Sequence, residues 1–344
     1  MKYSIERVEW KDCGEDISAV LIDSFPSVPA ARYAWLHERN PAGPGAVWLA
    51  RDAQGRPIGT AALHARHVVV DGRRYLAGVA TNFAVVPSAR AFGPALALQR
   101  AVQAVCEAGE FAFIYGFPNR AAKPVFERLA YTPGQTRRLV RVLRSAPYLQ
   151  RAGRAAGWAS HLAARPLDVA LRLLARETYR RPSRRTRVET LEQLDGAFDA
   201  FWVRLRARLA VVGDRSAEYM NWRYAGSPTR HHQVTVLRRD EEIAATIVSY
   251  TIGNIVYVSE LFALDGEAFD GLLGAFLRAQ RRTSASAVSL IVLGDLPFAD
   301  RLARYGLLQR DVDRSMMVYV PPGSPLHPLL DRVERWAFFE GDIL

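Results

Sequence analysis

Arg90-Ala91-Phe92-Gly93-Pro94-Ala95 follows an apolar, β-branched stretch at residues 79–87 and sets a full positive charge and a glycine at the mouth of a helix. Backbone N–H groups at a helix start point outward and carry the positive end of the helix dipole, so such a turn suits a phosphate or pyrophosphate. Gly93 lets the backbone approach the anion, and Arg90 adds charge beside it. Pro94 fits a first helical position, and Ala95, Leu98, Val102 and Val105 recur at helical spacing until Gly109. An ordinary strand-to-helix loop has the same loose pattern, so the turn alone does not decide between the two readings.

The elements around the turn repeat the plan. After Gly109 come a short apolar run (residues 111–117), Pro118-Asn119, and a helical stretch at residues 120–129 closing on Ala130-Tyr131. Residues 58–142 together resemble the GCN5-related N-acetyltransferase (GNAT) superfamily. Residues 58–63 are similar to its third strand, 79–87 to its fourth, and 90–95 to its Q/R-x-x-G-x-G/A loop. Asn119 with Ala130-Tyr131 is similar to its second signature, an Asn followed at a fixed distance by Gly-Phe.

The resemblance implies acetyl-CoA or another acyl-CoA as donor. It implies backbone amides of Ala91, Phe92, Gly93 and Ala95 on the pyrophosphate, the pantetheine alongside Val85, and Asn119 beside the cofactor. It also implies direct attack on the thioester by an amine, no metal, and the Phe83 N–H as oxyanion donor. Two departures stand out: Pro94 lacks an N–H, and Phe126 occupies the place of the tyrosine that protonates the leaving thiolate. Tyr115 and Tyr131 are the nearest phenols that could replace it, and each also reads as a packing residue. Candidate bases are Glu6, Glu9, His64, His67 and Asp71, and none stands out. His64 and His67, three apart in a strand, face opposite sides and do not form a metal pair. Asp71-Gly72 reads as a hairpin turn.

At 344 residues with 49% hydrophobic composition, two domains are expected. An Arg/Ala/Leu-rich helical linker at 146–187 separates residues 1–145 from 188–322, and 323–344 form an extension. Strand and helix patterns recur after the linker in the order of the first half. The expected fold class is therefore α/β (α+β): two GNAT-like domains, each a mixed, mostly antiparallel twisted sheet flanked by helices. The second copy is degenerate, because Asp265 and Glu267 stand where an anion-binding turn belongs and would repel a pyrophosphate. Trp222 and Arg223, in an aromatic helical stretch at 218–224, are candidate acceptor-binding residues, with an amphipathic docking helix as the alternative. Residues 35–45, with two prolines and two glycines, are a candidate acceptor loop without a helix.

A net charge of +11 suits an acidic partner: coenzyme A, an acyl carrier protein, or an anionic membrane touched by the linker. Nucleic acid is not expected, since no recognition motif is present. Cys13 and Cys106 form no disulfide framework, and no apolar run of about 20 residues could span a bilayer. The expectation is a cytoplasmic acyltransferase, most simply an acetyltransferase acting on a small-molecule amine. A long-chain acyl transferase, a non-catalytic scaffold and a transfer-RNA-dependent transferase remain as alternatives.

Overall fold

Two β-branched runs joined by Asp71-Gly72 form the hairpin on which the site is built. Both turn residues adopt positive φ, 45° and 79°, as a two-residue hairpin turn requires. The computed structural model describes residues 2–344 apart from 27, 91, 152–157, 180–182, 184, 295 and 313.

In chain order the strands are β1 (Tyr3–Val8), β2 (Ala46–Asp52), β3 (Pro57–Val70), β4 (Arg73–Val85), β5 (Ile114–Gly116), β6 (Thr132–Val142), β7 (Thr186–Leu191), β8 (Val211–Gly213), β9 (Gln233–Arg239), β10 (Glu242–Ile252), β11 (Ile255–Ala263), β12 (Ala287–Leu293), β13 (Leu308–Arg310), β14 (Ser315–Tyr319) and β15 (Phe338–Phe339). They join one sheet whose main path runs β1-β2-β3-β4-β5-β14-β6-β12-β11-β10-β9-β7. The sheet is mostly antiparallel. β4 with β5 and β11 with β12 pair in parallel, each pair linked by a helix, Phe92–Glu107 and Gly266–Arg281.

Both faces of the first half are covered, which is why β3 reads as a nearly continuous apolar run. Ala61, Leu63 and Ala65 face Leu98 and Val102 of the helix Phe92–Glu107, whereas Ala62 faces Ile17, Leu21 and Tyr33 on the other side. Each fully buried leucine here contributes about 1.5–3 kcal/mol.

The expectation of two domains with separate sheets is corrected in one respect: the described residues form a single continuous sheet, and no second sheet is present among them. β5 and β12 each end a parallel pair and need a further neighbour. The neighbour comes from the other half of the chain. β14 lies beside β5, β6 lies beside β12, and β6 pairs with β14 through its first residues, 132–135. The linker region contains the helices Ala146–Arg151, Trp158–Leu173 and Arg176–Tyr179. The candidate loop at 35–45 is also corrected, because the helix Ala30–Glu38 includes Trp35, whose ring is buried.

Candidate active site

The site is built on a defect in the β3–β4 ladder. Thr60 pairs with Ala84 and Ala62 with Thr81, so Asn82 and Phe83 together oppose Ala61. This is a β-bulge, and Asn82 takes a φ of 49° to make it. Just before the bulge, β5 stops. β4 and β5 are paired from Gly78 to Ala80, after which β4 continues to Val85 while the backbone following β5 turns away through Phe117-Pro118-Asn119. Their close approach at the fork depends on Gly116, where a Cβ would sit 3.0 Å from the Ala80 carbonyl oxygen. Beyond the fork no strand among the described residues pairs with the β5-facing edge of β4.

A cavity of about 890 Å³ opens there, lined by Thr81, Asn82 and Phe83 on one side and Asn119 and Phe126 on the other. The Phe83 and Phe126 rings meet edge to face, 6.0 Å apart. Asn119 Oδ1 accepts a hydrogen bond from the Ala122 N–H at 2.9 Å, holding the turn that enters the helix Lys123–Arg128. Beneath the bulge, Asn82 Nδ2 lies 3.4 Å from His37 Nε2, and the His37 ring is 4.4 Å from that of His64. Burial pushes His37 down to about 4 and His64 well below its ordinary value, so both are neutral at pH 7.

The rest of the cavity lining is largely cationic. Arg32, Arg120, Arg223, Arg230 and Arg314 belong to it, against Glu340 as the one carboxylate side chain among the described lining residues. Glu340 Oε1 accepts from the Tyr250 hydroxyl at 2.5 Å and lies 3.8 Å from Arg230, while its Oε2 is buried without a hydrogen-bond partner. Sequence reasoning missed Arg32, Arg230, Arg314 and Glu340. They come from four separate segments, and in a chain with 46 basic residues no local signal sets these arginines apart.

The residues singled out from the sequence divide into three groups. Phe83, Asn119 and Arg223 share the cavity. Arg90, Gly93 and Ala95 stand at the start of the helix Phe92–Glu107, outside the cavity lining, and Ala91 lies outside the described residues. Arg90 Nε donates to the Val85 carbonyl at 3.1 Å, and a Cβ at Gly93 would lie 3.3 Å from the Tyr3 hydroxyl oxygen. Phe92 begins the helix, and Val85 and Ala95 contact the core beneath it.

Tyr115 and Tyr131 form the third group. Tyr115 is fully buried between Phe113, Phe117, Trp336 and Phe338, and Tyr131 is enclosed by Phe126 and Tyr319. Burial raises both phenols, and neither lines the cavity. Trp222 stacks on Trp35 at 4.5 Å rather than lining the cavity. Arg223 donates from Nε to the Gly341 carbonyl at 3.2 Å and from Nη2 to the Ile343 carbonyl at 2.9 Å, so its fork clamps the C-terminal segment.

The second half has a corresponding bulge, where Ser259 is the extra residue between Val258 and Glu260. Its fork is filled: β15 pairs with β12 at Val292 and Leu293, and Phe339 packs edge to face on Phe262. At the following helix, Asp265 Oδ1 itself accepts from the N–H groups of Glu267 and Ala268, and Arg239 pairs with the same carboxylate. An internal carboxylate thus takes the amides that an external anion would use. Among the described residues no group of His, Cys, Asp and Glu is disposed to hold a metal ion, and no helix is long and apolar enough to cross a membrane.

No protein-family model and no curated protein matches the chain. Solved structures do. Over 93% of its length the chain is similar to a conserved protein of unknown function from Enterococcus faecalis V583, described as a probable N-acyltransferase, at 12% identity and a TM-score of 0.68, covering 73% of that protein. A GCN5-related N-acetyltransferase from Kribbella flavida is similar over 92% of this chain and 71% of its own, at 16% identity and a TM-score of 0.60. Eis1 from Mycobacterium abscessus is similar over 93% and 73%, at 16% identity and a TM-score of 0.58. At these identities the likeness is one of architecture, and by it the chain has the fold of the GCN5-related N-acetyltransferases.

Proposed function

We propose that the chain is an acyl-CoA-dependent N-acyltransferase, in its simplest form an acetyltransferase, working at the fork between β4 and β5. The observation that carries this reading is the fork itself: a bulged strand whose edge no strand pairs among the described residues, opening on a cavity large enough for two reactants. An acyl-CoA would supply an activated thioester there. The unpaired edge of β4 suits an extended amide-containing arm. The Arg90 turn at the head of the helix Phe92–Glu107 suits its phosphates.

In the transfer a C–N bond forms as the C–S bond breaks, the amine loses a proton and the thiolate gains one. We assign the Phe83 N–H to the developing oxyanion. Glu340 is assigned to receive the amine proton, because its Oε2 faces no partner. Phe126 has no proton to give, so water protonates the thiolate. We further read the chain as two GNAT-like units, residues 1–145 and 188–322, that exchange their last strands. The second unit is closed to a donor by β15 and Asp265.

An acyl carrier protein as donor is the second reading. Arg144, Arg172 and Arg282 line another cavity of about 380 Å³, and Arg172 stands on a helix exposing Leu167 and Leu173. Calorimetric titration with acetyl-CoA and a long-chain acyl-CoA tests the first reading. Binding that Arg90→Glu abolishes supports it, and absence of binding by either donor overturns it.

A further inference from the structure

We propose that the acceptor amine carries an oxyanion, a carboxylate or phosphate group, and that Arg32, Arg230 and Arg314, which line the cavity at the fork, hold that group. This inference rests on the acyltransferase reading above and names its substrate class.

The arginines reach one cavity lining from three distant segments. Arg32 stands on the helix Ala30–Glu38, Arg230 in the loop before β9, and Arg314 immediately before β14. Arg32 is the most telling. The residue is half-buried, and no hydrogen bond or ion pair holds its side chain among the described residues. Burial and the nearby Arg223 and Arg230 push it down to about 10, still charged at pH 7.

Like charges gathered on a partly buried wall repel one another, so a cluster of this kind is relieved when an anion enters it. Glu340 answers Arg230 in part, at 3.8 Å, and leaves Arg32 unmatched. Arg223 already holds the Gly341 and Ile343 carbonyls. His232, in the same cavity lining, is pushed down to about 4 by burial, Arg223 and Arg230, and so neither adds charge nor cancels it at pH 7. Ser227 and Thr229 add hydroxyl groups to the same lining. A planar guanidinium matches a carboxylate or phosphate with two parallel hydrogen bonds, which an ammonium ligand could not accept.

Three amines of similar length separate the possibilities: ethanolamine, β-alanine and phosphoethanolamine. Calorimetric binding to the wild-type protein reads the inference without turnover. Release of free thiol from acetyl-CoA reads it with turnover. We expect one of the two anionic amines to bind about tenfold or more tightly than ethanolamine, and to show a matching gain in kcat/KM. Which of the two wins tells carboxylate from phosphate. Arg32→Gln should remove most of that preference and leave acetyl-CoA affinity within about twofold.

Equal binding of ethanolamine and both anionic amines by wild type overturns the inference. So does an Arg32→Gln variant that loses acetyl-CoA affinity and keeps its discrimination among amines, which would give these arginines to the donor phosphates. A protein that binds anionic amines preferentially but no acyl-CoA leaves the oxyanion site standing and overturns the acyltransferase reading instead.

Discussion

Arg215 Nη2 donates to Asp342 Oδ2 at 2.6 Å, with the two side chains 1% and 0% exposed. Asp342 also accepts from Arg66 Nη2 at 2.8 Å and from the Phe339 N–H at 2.9 Å. Arg215 reaches on to Glu260 at 2.9 Å, and Glu260 accepts from the Tyr224 hydroxyl at 2.5 Å. Arg66 lies in β3 and Glu260 in β11, so one buried network ties both halves of the sheet to the C-terminal segment that walls the cavity. Asp342→Ala leaves two buried guanidinium groups without their shared carboxylate and is expected to cost about 3–5 kcal/mol. Urea denaturation would measure it, and a loss below about 1 kcal/mol would count against the network's structural role.

Arg90→Glu reverses the charge at the proposed phosphate turn while leaving the helix behind it intact. Acetyl-CoA affinity should fall by about tenfold or more, with the melting temperature nearly unchanged. Unchanged affinity would remove the turn from the donor site.

Phe126 lines the cavity against Phe83, in the place where the GNAT resemblance puts an acidic phenol. Phe126→Tyr adds a hydroxyl there with little change in volume. Turnover should rise on the order of tenfold, short of the ~10²–10⁴ of an evolved general acid. A slower enzyme would mean that the hydroxyl is tolerated poorly by the aromatic contact.

Glu340→Gln keeps the shape of the side chain and removes its basicity. The expected result is a kcat lower by about 10²-fold, with acetyl-CoA binding retained. Full activity in this variant would release Glu340 from the proton-accepting role.

His37 and His232 are both held near 4 by burial, against an ordinary value of 6.5. Between those values the unfolded chain binds protons that the folded one refuses. Their contribution to stability is therefore complete above about pH 6.5 and declines as pH falls toward about 4, by at most ~1.4 kcal/mol per unit for each group. The double variant His37→Gln, His232→Gln should lose less stability than wild type between about pH 7.5 and about pH 5 in urea melts. Parallel curves would show that other groups govern the acid limb.

The first half of the sheet was legible in the sequence because its signals are local. β-branched runs set β3 and β4, Asp71-Gly72 set their turn, and the spacing of Leu98, Val102 and Val105 set the helix after the fork. Phe83 and Asn119, which line the cavity, were singled out for the same reason, since each sits at a fixed offset from a local motif. The carboxylate of Asp265 at the second helix start was legible too, and the structure shows it capping that helix.

What the tertiary structure alone decided is long-range. No local pattern says that β14 slots beside β5 while β6 crosses to β12, because any apolar strand of suitable length can satisfy an open sheet edge. The same holds for the filling of the second fork by β15 and for the roles of Tyr115, Trp222 and Arg223, which depend on neighbours more than a hundred residues away. Arg32 and Glu340 meet across one cavity although 308 positions separate them in the chain. Sequence determined the elements and one strand-turn-helix motif, through forces that act within a few residues. Packing of distant segments decided which side chains share the cavity, and so its charge.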